Sequence, residues 1–336
     1  MPHAQRIGTL TTVALALLAS AVAHAESETS QVRDWLDRMG RAVETLNYRG
    51  TLVHLRDGQV DTLRVIHRAD ENGIRERIYS LDGEPREILR DGDKVRCLLA
   101  GDQPLVVQSQ IAARLMPNLP LSRLGGTESA YEMALGGRER VAGLMSQVVE
   151  ISPRDEFRYG HRFWLEEKTG MMLRSALLDH HGEQIQQLSF VSIELGVPIT
   201  DAELEPSLSD AVTLETTLDQ AESDLSGSID SSGSNWQPER VPDSFRLANV
   251  GTGTGRDGKG FEHFLFSDGL ASFSVYVEDG DLGLSGGSRL ESVGPVHVYT
   301  GMLEGRQITV VGEVPPATVE YVGRNLRRSP LPSQRR

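Results

Sequence analysis

Residues 51–99 read TLVHLRDGQVDTLRVIHRADENGIRERIYSLDGEPREILRDGDKVRCLL. Strand-like runs lie at Thr51–Leu55, Thr62–His67, Ile74–Leu81, Arg86–Arg90 and Lys94–Leu99, and turn signals separate them at Asp57-Gly58, Asn72-Gly73, Asp82-Gly83 and Asp91-Gly92. An Asx-Gly pair supplies the positive φ of a tight hairpin, so the stretch is predicted to be an antiparallel meander. On its N-terminal side Val32, Trp35, Leu36, Met39, Val43 and Leu46 recur at helical spacing, giving a helix of about four turns with one apolar stripe. On its C-terminal side a short helix is expected around Ser109–Leu115, stopped by Pro117. Strand runs resume at Leu144–Ile151, Tyr159–Leu165, Met171–Leu178 and Gln184–Glu194, with hairpin-length breaks at Lys168-Thr169-Gly170 and His181-Gly182. Many antiparallel strands with few helices imply a strongly curved sheet, open or nearly closed, with helices against its concave face. Both a filled core and an apolar cavity fit that pattern.

Beyond this unit the composition changes. From Gly196 to Glu239 there are ten acidic residues and no Lys or Arg, and the tract Ser226–Ser234 is rich in Ser and Gly. Such a segment reads as a solvated linker. After Trp236, strands are expected at Phe245–Val250, Phe261–Ser267, Ala271–Glu278, Val296–Thr300 and Gln307–Glu313. Pro315-Pro316 opens a helix to about Leu326 in which Val319, Val322 and Leu326 can face the sheet. The expected organisation is a signal peptide at 1–25, a large domain at 26–195, a linker at 196–237, a small domain at 238–328 and a basic tail at 329–336.

The 336 residues carry 34 Lys plus Arg against 48 Asp plus Glu, a formal charge of −14. Nucleic-acid binding rests on a basic face that neutralises phosphates, so no nucleic-acid partner is expected. Cys97 is the single cysteine, which excludes an intramolecular disulfide, and no Cys/His cluster has the spacing of structural zinc. The N-terminus carries Arg6, an apolar run from Val13 to Leu18, and Ala23-His24-Ala25. This is the layout of a cleaved secretory signal, with cleavage expected before Glu26 and a soluble, exported product.

Three motifs invite a catalytic reading and fail it. Gly253-Thr254-Gly255-Arg256-Asp257-Gly258-Lys259-Gly260 matches G-x-G-x-x-G and most of a P-loop. It lacks the hydroxyl after Lys259, and a strand-like run with Phe261, Phe264 and Phe266 follows where a helix is needed. Gly283-Leu284-Ser285-Gly286-Gly287 spells G-x-S-x-G without the flanking strand and helix of a nucleophile elbow. His180 and His181 are adjacent in Asp179-His180-His181-Gly182, where a turn is expected and a shared metal is not. No catalytic residue, metal site or cofactor is expected.

Several segments together resemble the RseB/MucB family of periplasmic sigma-factor regulators. They are Leu63-Arg64 with His67-Arg68, Leu81-Asp82-Gly83-Glu84-Pro85-Arg86-Glu87, and Ser152-Pro153-Arg154-Asp155 with Arg158-Tyr159. The likeness is strongest in Ser267-Asp268-Gly269-Leu270 with Phe273-Ser274-Val275, and in Ile308-Thr309-Val310-Val311-Gly312-Glu313-Val314-Pro315-Pro316. The resemblance implies a mixed α+β, mainly β chain. Its N-terminal part would be a half-open antiparallel β-barrel of the LolA/LolB lipoprotein-carrier type with helices in its mouth, joined to a smaller C-terminal antiparallel sheet domain with one helix. It further implies binding to the periplasmic segment of an RseA/MucA-type anti-sigma factor, protection of that segment from the site-1 protease, and relief by lipopolysaccharide or lipoprotein acyl chains. Lipid contact is then expected at Trp35, Leu36, Phe163 and Leu165, and partner contact at Phe273, Val275, Val277, Val319 and Val322. A homo-oligomer is left open. The competing reading is a stand-alone lipid or lipoprotein carrier, and an enzyme is a distant third.

Overall fold

The computed structural model describes residues 29–56, 58–99, 129–208, 212–217, 236–238, 240–254, 260–279 and 287–328. The expected signal at 1–25, the helix at Ser109–Leu115, the tract Ser226–Ser234, the middle of the 253–260 glycine run, Ser285 and the tail at 329–336 lie outside the described residues.

The chain enters through helix α1, residues 29–45. The meander follows as β1 (Tyr48–Arg56), β2 (Gln59–Asp70), β3 (Gly73–Ser80), β4 (Arg86–Asp91) and β5 (Lys94–Leu99). Gly58, Gly73, Gly83 and Gly92 all adopt positive φ, as the Asx-Gly reading requires. The second half is β6 (Tyr131–Val141), β7 (Leu144–Pro153), β8 (Gly160–Glu166), β9 (Met172–Leu178) and β10 (Gln184–Leu195). β10 returns to lie beside β1, and with β11 (Val212–Thr217) the antiparallel sheet has eleven strands in the order β11-β5-β4-β3-β2-β1-β10-β9-β8-β7-β6.

One face of α1 meets this sheet through Val32, Leu36, Met39 and Ala42, in a core shared with Tyr48, Leu52, Val65, Phe163, Leu165 and Phe190. Burying a large apolar side chain of this kind contributes about 1.5–3 kcal/mol. Arg38 pins the helix to the turn after β8, its guanidinium donating to the Glu167 carbonyl at 2.7 Å and the Lys168 carbonyl at 3.1 Å. That approach needs Gly170, whose φ is +82° and where a Cβ would stand 2.8 Å from the Arg38 Cβ.

The acidic segment departs from the linker reading over its first part. Helix α2 (Asp201–Leu204) lies on the outer face of the sheet, with Ile199 and Leu204 packed on Ile66 and half-buried Tyr79. Its acids meet arginines of the sheet: Glu203 pairs with Arg49 at 2.9 Å, and Asp201 with Arg68 at 2.9 Å and Arg75 at 3.0 Å. The segment then supplies β11 along the β5 edge. Lack of basic residues is here complementarity to arginines elsewhere in the chain rather than a preference for water.

The second sheet has six strands: β13 (Arg246–Thr254), β14 (Gly260–Ser267), β15 (Ser272–Asp279), β16 (Arg289–Val293), β17 (Val296–Leu303) and β18 (Arg306–Gly312). They are ordered β13-β14-β15-β18-β17-β16. The short strands β12 (Trp236–Pro238) and β19 (Leu326–Arg328) pair with each other. Helix α3 (Pro316–Arg324) begins with Pro at N1, where its missing N–H costs nothing, and is closed by the Asn325 amide donating to the Tyr321 and Val322 carbonyls. The Tyr299 ring rests so close to α3 that a Cβ on Gly323 would stand 2.2 Å from it.

Phe273, Val275, Val277, Val319 and Val322, expected to contact a partner, are 0–1% exposed in the core between this sheet and α3. That expectation is corrected. Alternate strand positions and the α3 stripe bury one another, so their apolar character is consumed inside the domain. The glycine run at 253–260 joins β13 to β14, so a strand follows it.

Candidate functional site

The two sheets meet at a polar joint. Its centre is Arg158, in the segment between β7 and β8, with a fully buried side chain. Arg158 Nε donates to Asp268 Oδ2 at 2.6 Å, and both side chains are 0% exposed. Arg158 also donates to the Asp155 carboxylate and the Asp243 carbonyl, and its guanidinium lies 4.5 Å from the centre of the Phe245 ring. Tyr131, at the start of β6, donates its hydroxyl to Asp268 Oδ2 at 3.1 Å.

Local sequence explains why Asp268 can hold this position. It occupies the turn between β14 and β15, and its Oδ1 accepts the Leu270 amide at 2.9 Å and the Ala271 amide at 2.8 Å. One oxygen is spent on its own turn and the other is presented to the neighbouring sheet. Burial works against the Arg158 charge, but the hydrogen bond and charge of Asp268 outweigh it and raise the Arg158 pKa. Burial, reinforced by Asp268, raises the Tyr131 pKa well above the usual phenol range, so its hydroxyl stays a donor. His161, on β8, is held neutral, its pKa lowered by burial to about 4 against the pull of Asp268.

Around this centre the contact widens. Ser129 and Ser244 hydroxyls are 2.8 Å apart, Thr318 Oγ1 of α3 donates to the Phe157 carbonyl at 2.7 Å, and Phe157 packs on Tyr321 with ring centres 5.1 Å apart. The Tyr159 hydroxyl stands 3.4 Å from His297 Nδ1, which is 3.0 Å from the Val314 carbonyl. Beside them a cavity of about 340 Å³ is lined from both sheets, by Tyr159, Asp179 and Ile185 on one side and Pro295, His297 and Pro315 on the other. Burial, with the charges of Glu313 and Asp179, raises the Tyr159 pKa, which marks the negative field there.

The residues expected to touch lipid are not brought to this joint. Leu36, Phe163 and Leu165 are 0–1% exposed within the large-sheet core, and Trp35 is half-buried beneath the Arg38 guanidinium at 4.1 Å. His180 and His181 sit in the turn before β10 with ring centres 3.8 Å apart. Among the described residues no group of three or more His, Cys, Asp or Glu could hold a metal ion, and no helix is long and apolar enough to cross a membrane. The reading by residue type missed Arg158, Asp268, Tyr131 and His297 as a site. Their signal was present in another form: Ser152-Pro153-Arg154-Asp155 with Arg158-Tyr159, and Ser267-Asp268-Gly269-Leu270, are two segments that carry the family likeness, and they meet here.

Comparison with known proteins covers both sheets. The MucB/RseB N-terminal domain matches residues 31–208 and the MucB/RseB C-terminal domain residues 230–327. The chain is 29% identical over 328 residues to the sigma factor AlgU regulatory protein MucB of Pseudomonas aeruginosa, covering 94% of this chain and 97% of that one. It is 25% identical to the sigma-E factor regulatory protein RseB of Escherichia coli K12, covering 87% and 89%. The solved complex of Pseudomonas aeruginosa MucA/MucB superposes with a TM-score of 0.70 at 28% identity, over 89% of this chain and 99% of that one. With matches to both domain models in chain order, and with the segments that carry the likeness paired across the joint, the chain belongs to the MucB/RseB family.

Proposed function

We propose that this protein is an exported, periplasmic negative regulator that binds the periplasmic segment of a membrane anti-sigma factor of the RseA/MucA type. The observation that carries this reading is the solved relative whose partner is MucA, similar to this chain through both domains. The bound segment is shielded from the site-1 protease, so the sigma factor stays captive. The large sheet serves in this reading as a half-open barrel of the lipoprotein-carrier type that accepts lipopolysaccharide or lipoprotein acyl chains. No bond is made or broken.

The mechanism is occupancy. Protection follows the ratio of free regulator to its Kd, and an inducer acts only by weakening the complex. By linkage the anti-sigma segment weakens lipid binding by the same factor, a coupling of about 1–3 kcal/mol in typical systems. The direct test incubates the purified anti-sigma periplasmic fragment with site-1 protease, with and without this protein, and then titrates lipid A. Protection that lipid A abolishes is expected. Cleavage at the same rate with and without the regulator sinks the assignment, and protection indifferent to saturating lipid sinks the inducer.

A further inference from the structure

Four strands, β11, β6, β13 and β16, bound the two large sheets; β11 pairs regularly with β5 but contributes no residue to the joint cavity, and the other three are not equally closed. β6 carries a register irregularity between Leu135 and Arg138 and charged residues at Arg138, Glu139 and Arg140. β13 is irregular between Leu247 and Asn249. Both are ways in which natural sheets blunt an edge. β16 has no such irregularity, and its two charged residues, Arg289 and Glu291, pair with each other at 2.8 Å: its register with β17 is regular over Arg289–Val293, all five residues are exposed, Leu290 at 40% and Val293 at 49%, and no described strand pairs with its other side.

Val293 and Val296 close a two-residue turn, Gly294-Pro295, with Gly294 at φ +58°. The closing pair of such a hairpin is hydrogen-bonded, and bonding alternates from there. Arg289, Glu291 and Val293 therefore direct their N–H and C=O groups to β17, whereas Leu290 and Ser292 direct theirs outward. Leu290 stands opposite Tyr299 and Ser292 opposite His297, so their side chains share the α3 side of the sheet. The edge runs directly into the joint cavity, since Gly294, Pro295 and His297 line it. That cavity is lined by apolar residues such as Ile185, Pro315 and Ala317, by His180 and His297, and by the acids Glu156 and Asp179, with no Lys or Arg.

We propose that β16 is the edge to which an extended segment of the anti-sigma partner adds as a strand, with a Lys or Arg side chain of that segment entering the joint cavity. This rests on the functional reading above and deepens it. The exposed, regular edge supplies backbone donors and acceptors, and a largely apolar pocket whose lining includes Glu156 and Asp179 suits a side chain with an apolar stem and a cationic head. Because the pocket has walls from both sheets, the seat exists only while the joint is closed.

The test uses the full chain, the recombinant anti-sigma periplasmic fragment, calorimetry and hydrogen exchange. Ser292→Pro removes an outward N–H while leaving the β17 ladder whole, and is expected to weaken binding about ten-fold or more with unchanged melting. Ser292→Ala is expected to bind as the wild type, Glu156→Lys to bind several-fold more weakly, and the amides of Leu290 and Ser292 to gain protection in the wild-type complex. Wild-type affinity in Ser292→Pro together with unprotected amides overturns the edge assignment while leaving the functional reading standing. Edge-dependent self-association of the free protein, lost in Ser292→Pro without effect on partner binding, overturns it in favour of a second copy. Absence of any binding by the wild type overturns both readings.

Discussion

Two buried arginine–carboxylate pairs do different work in this molecule. Arg77 meets Glu87 in a bidentate arrangement at 3.1 and 3.2 Å, between residues ten apart on adjacent strands of one sheet. Arg158 meets Asp268 across 110 residues of chain and between two sheets. The first pair is embedded: Ser207 donates its amide to Glu87, Arg77 donates to the Glu203 carbonyl and the Ser207 hydroxyl, and the β3–β4 ladder holds both ends whether or not the charges are present. The second has no ladder beneath it. A buried pair adds little net stability over an apolar substitute, yet losing one member is costly because the other is stranded. The pair at the joint therefore decides whether the two domains share one geometry, and the pair on the sheet only fastens a strap, the segment 199–208 that carries α2 across the sheet toward β11.

The largest effect is expected from breaking the joint. Arg158→Ala leaves Asp268 buried without its cation and should cost about 3–5 kcal/mol. Calorimetry should then resolve separate transitions for the two domains, and X-ray scattering should report a wider spread of interdomain distances. A single cooperative transition at the wild-type temperature would remove the joint from its central place. The strap should give a smaller loss. Glu87→Gln keeps the shape and one acceptor, so a cost of about 1–3 kcal/mol is expected, read as faster hydrogen exchange in β11 with the domains still melting together.

The ease with which these features can be read from sequence differs for physical reasons. The meander is legible because Asp or Asn before Gly encodes the φ that Gly73, Gly83 and Gly92 adopt. β6 is hidden because Gly136-Gly137 and the charged Arg138-Glu139-Arg140 break its alternation, and β16 because an edge strand exposed on every residue has no apolar period to show. The strap was read as solvated because composition counts charges without their partners, and Asp201 and Glu203 find theirs on strands far back in the chain. For the site, apolar stripes pointed to the cores, where Phe273 and Leu36 are spent. The joint is polar, and its members lie too far apart in sequence to form a motif.

Acid should separate the two pairs. The His161 pKa is lowered by burial to about 4, below its ordinary 6.5, so the folded state binds fewer protons than the unfolded chain between those values. Stability from this group is full above about pH 6.5 and is lost as pH falls toward 4, on the order of 3 kcal/mol, within the field of Asp268. At Glu87, burial is outweighed by Ser207 and Arg77, which lower its pKa, so its contribution is present above the ordinary carboxylate value of 4.5 and fades only as pH falls below that. His67, on β2, is likewise lowered by burial to about 4, so denaturation between pH 7 and 5 should draw on both the joint and the large-sheet core while the Arg77–Glu87 pair holds. A His161→Gln variant should flatten that part of the profile, and an unchanged slope would assign the acid sensitivity elsewhere.

The smallest effect is expected at the outer ends of the strap. Asp201 reaches Arg68 and Arg75 with 74% of its side chain exposed, so water and salt compete for both charges. Asp201→Asn should cost roughly 0.2–1 kcal/mol at low ionic strength, and the difference should vanish in about 1 M salt, where the screening length is near 3 Å. Urea titration at both ionic strengths measures it. A penalty that persists in high salt would mean that these surface contacts resist screening as a buried pair does, and the strap would then be held along its whole length rather than at Arg77 and Glu87. Loss of the difference, with Glu87→Gln still costly, would place the fastening at the one point where the sheet excludes water.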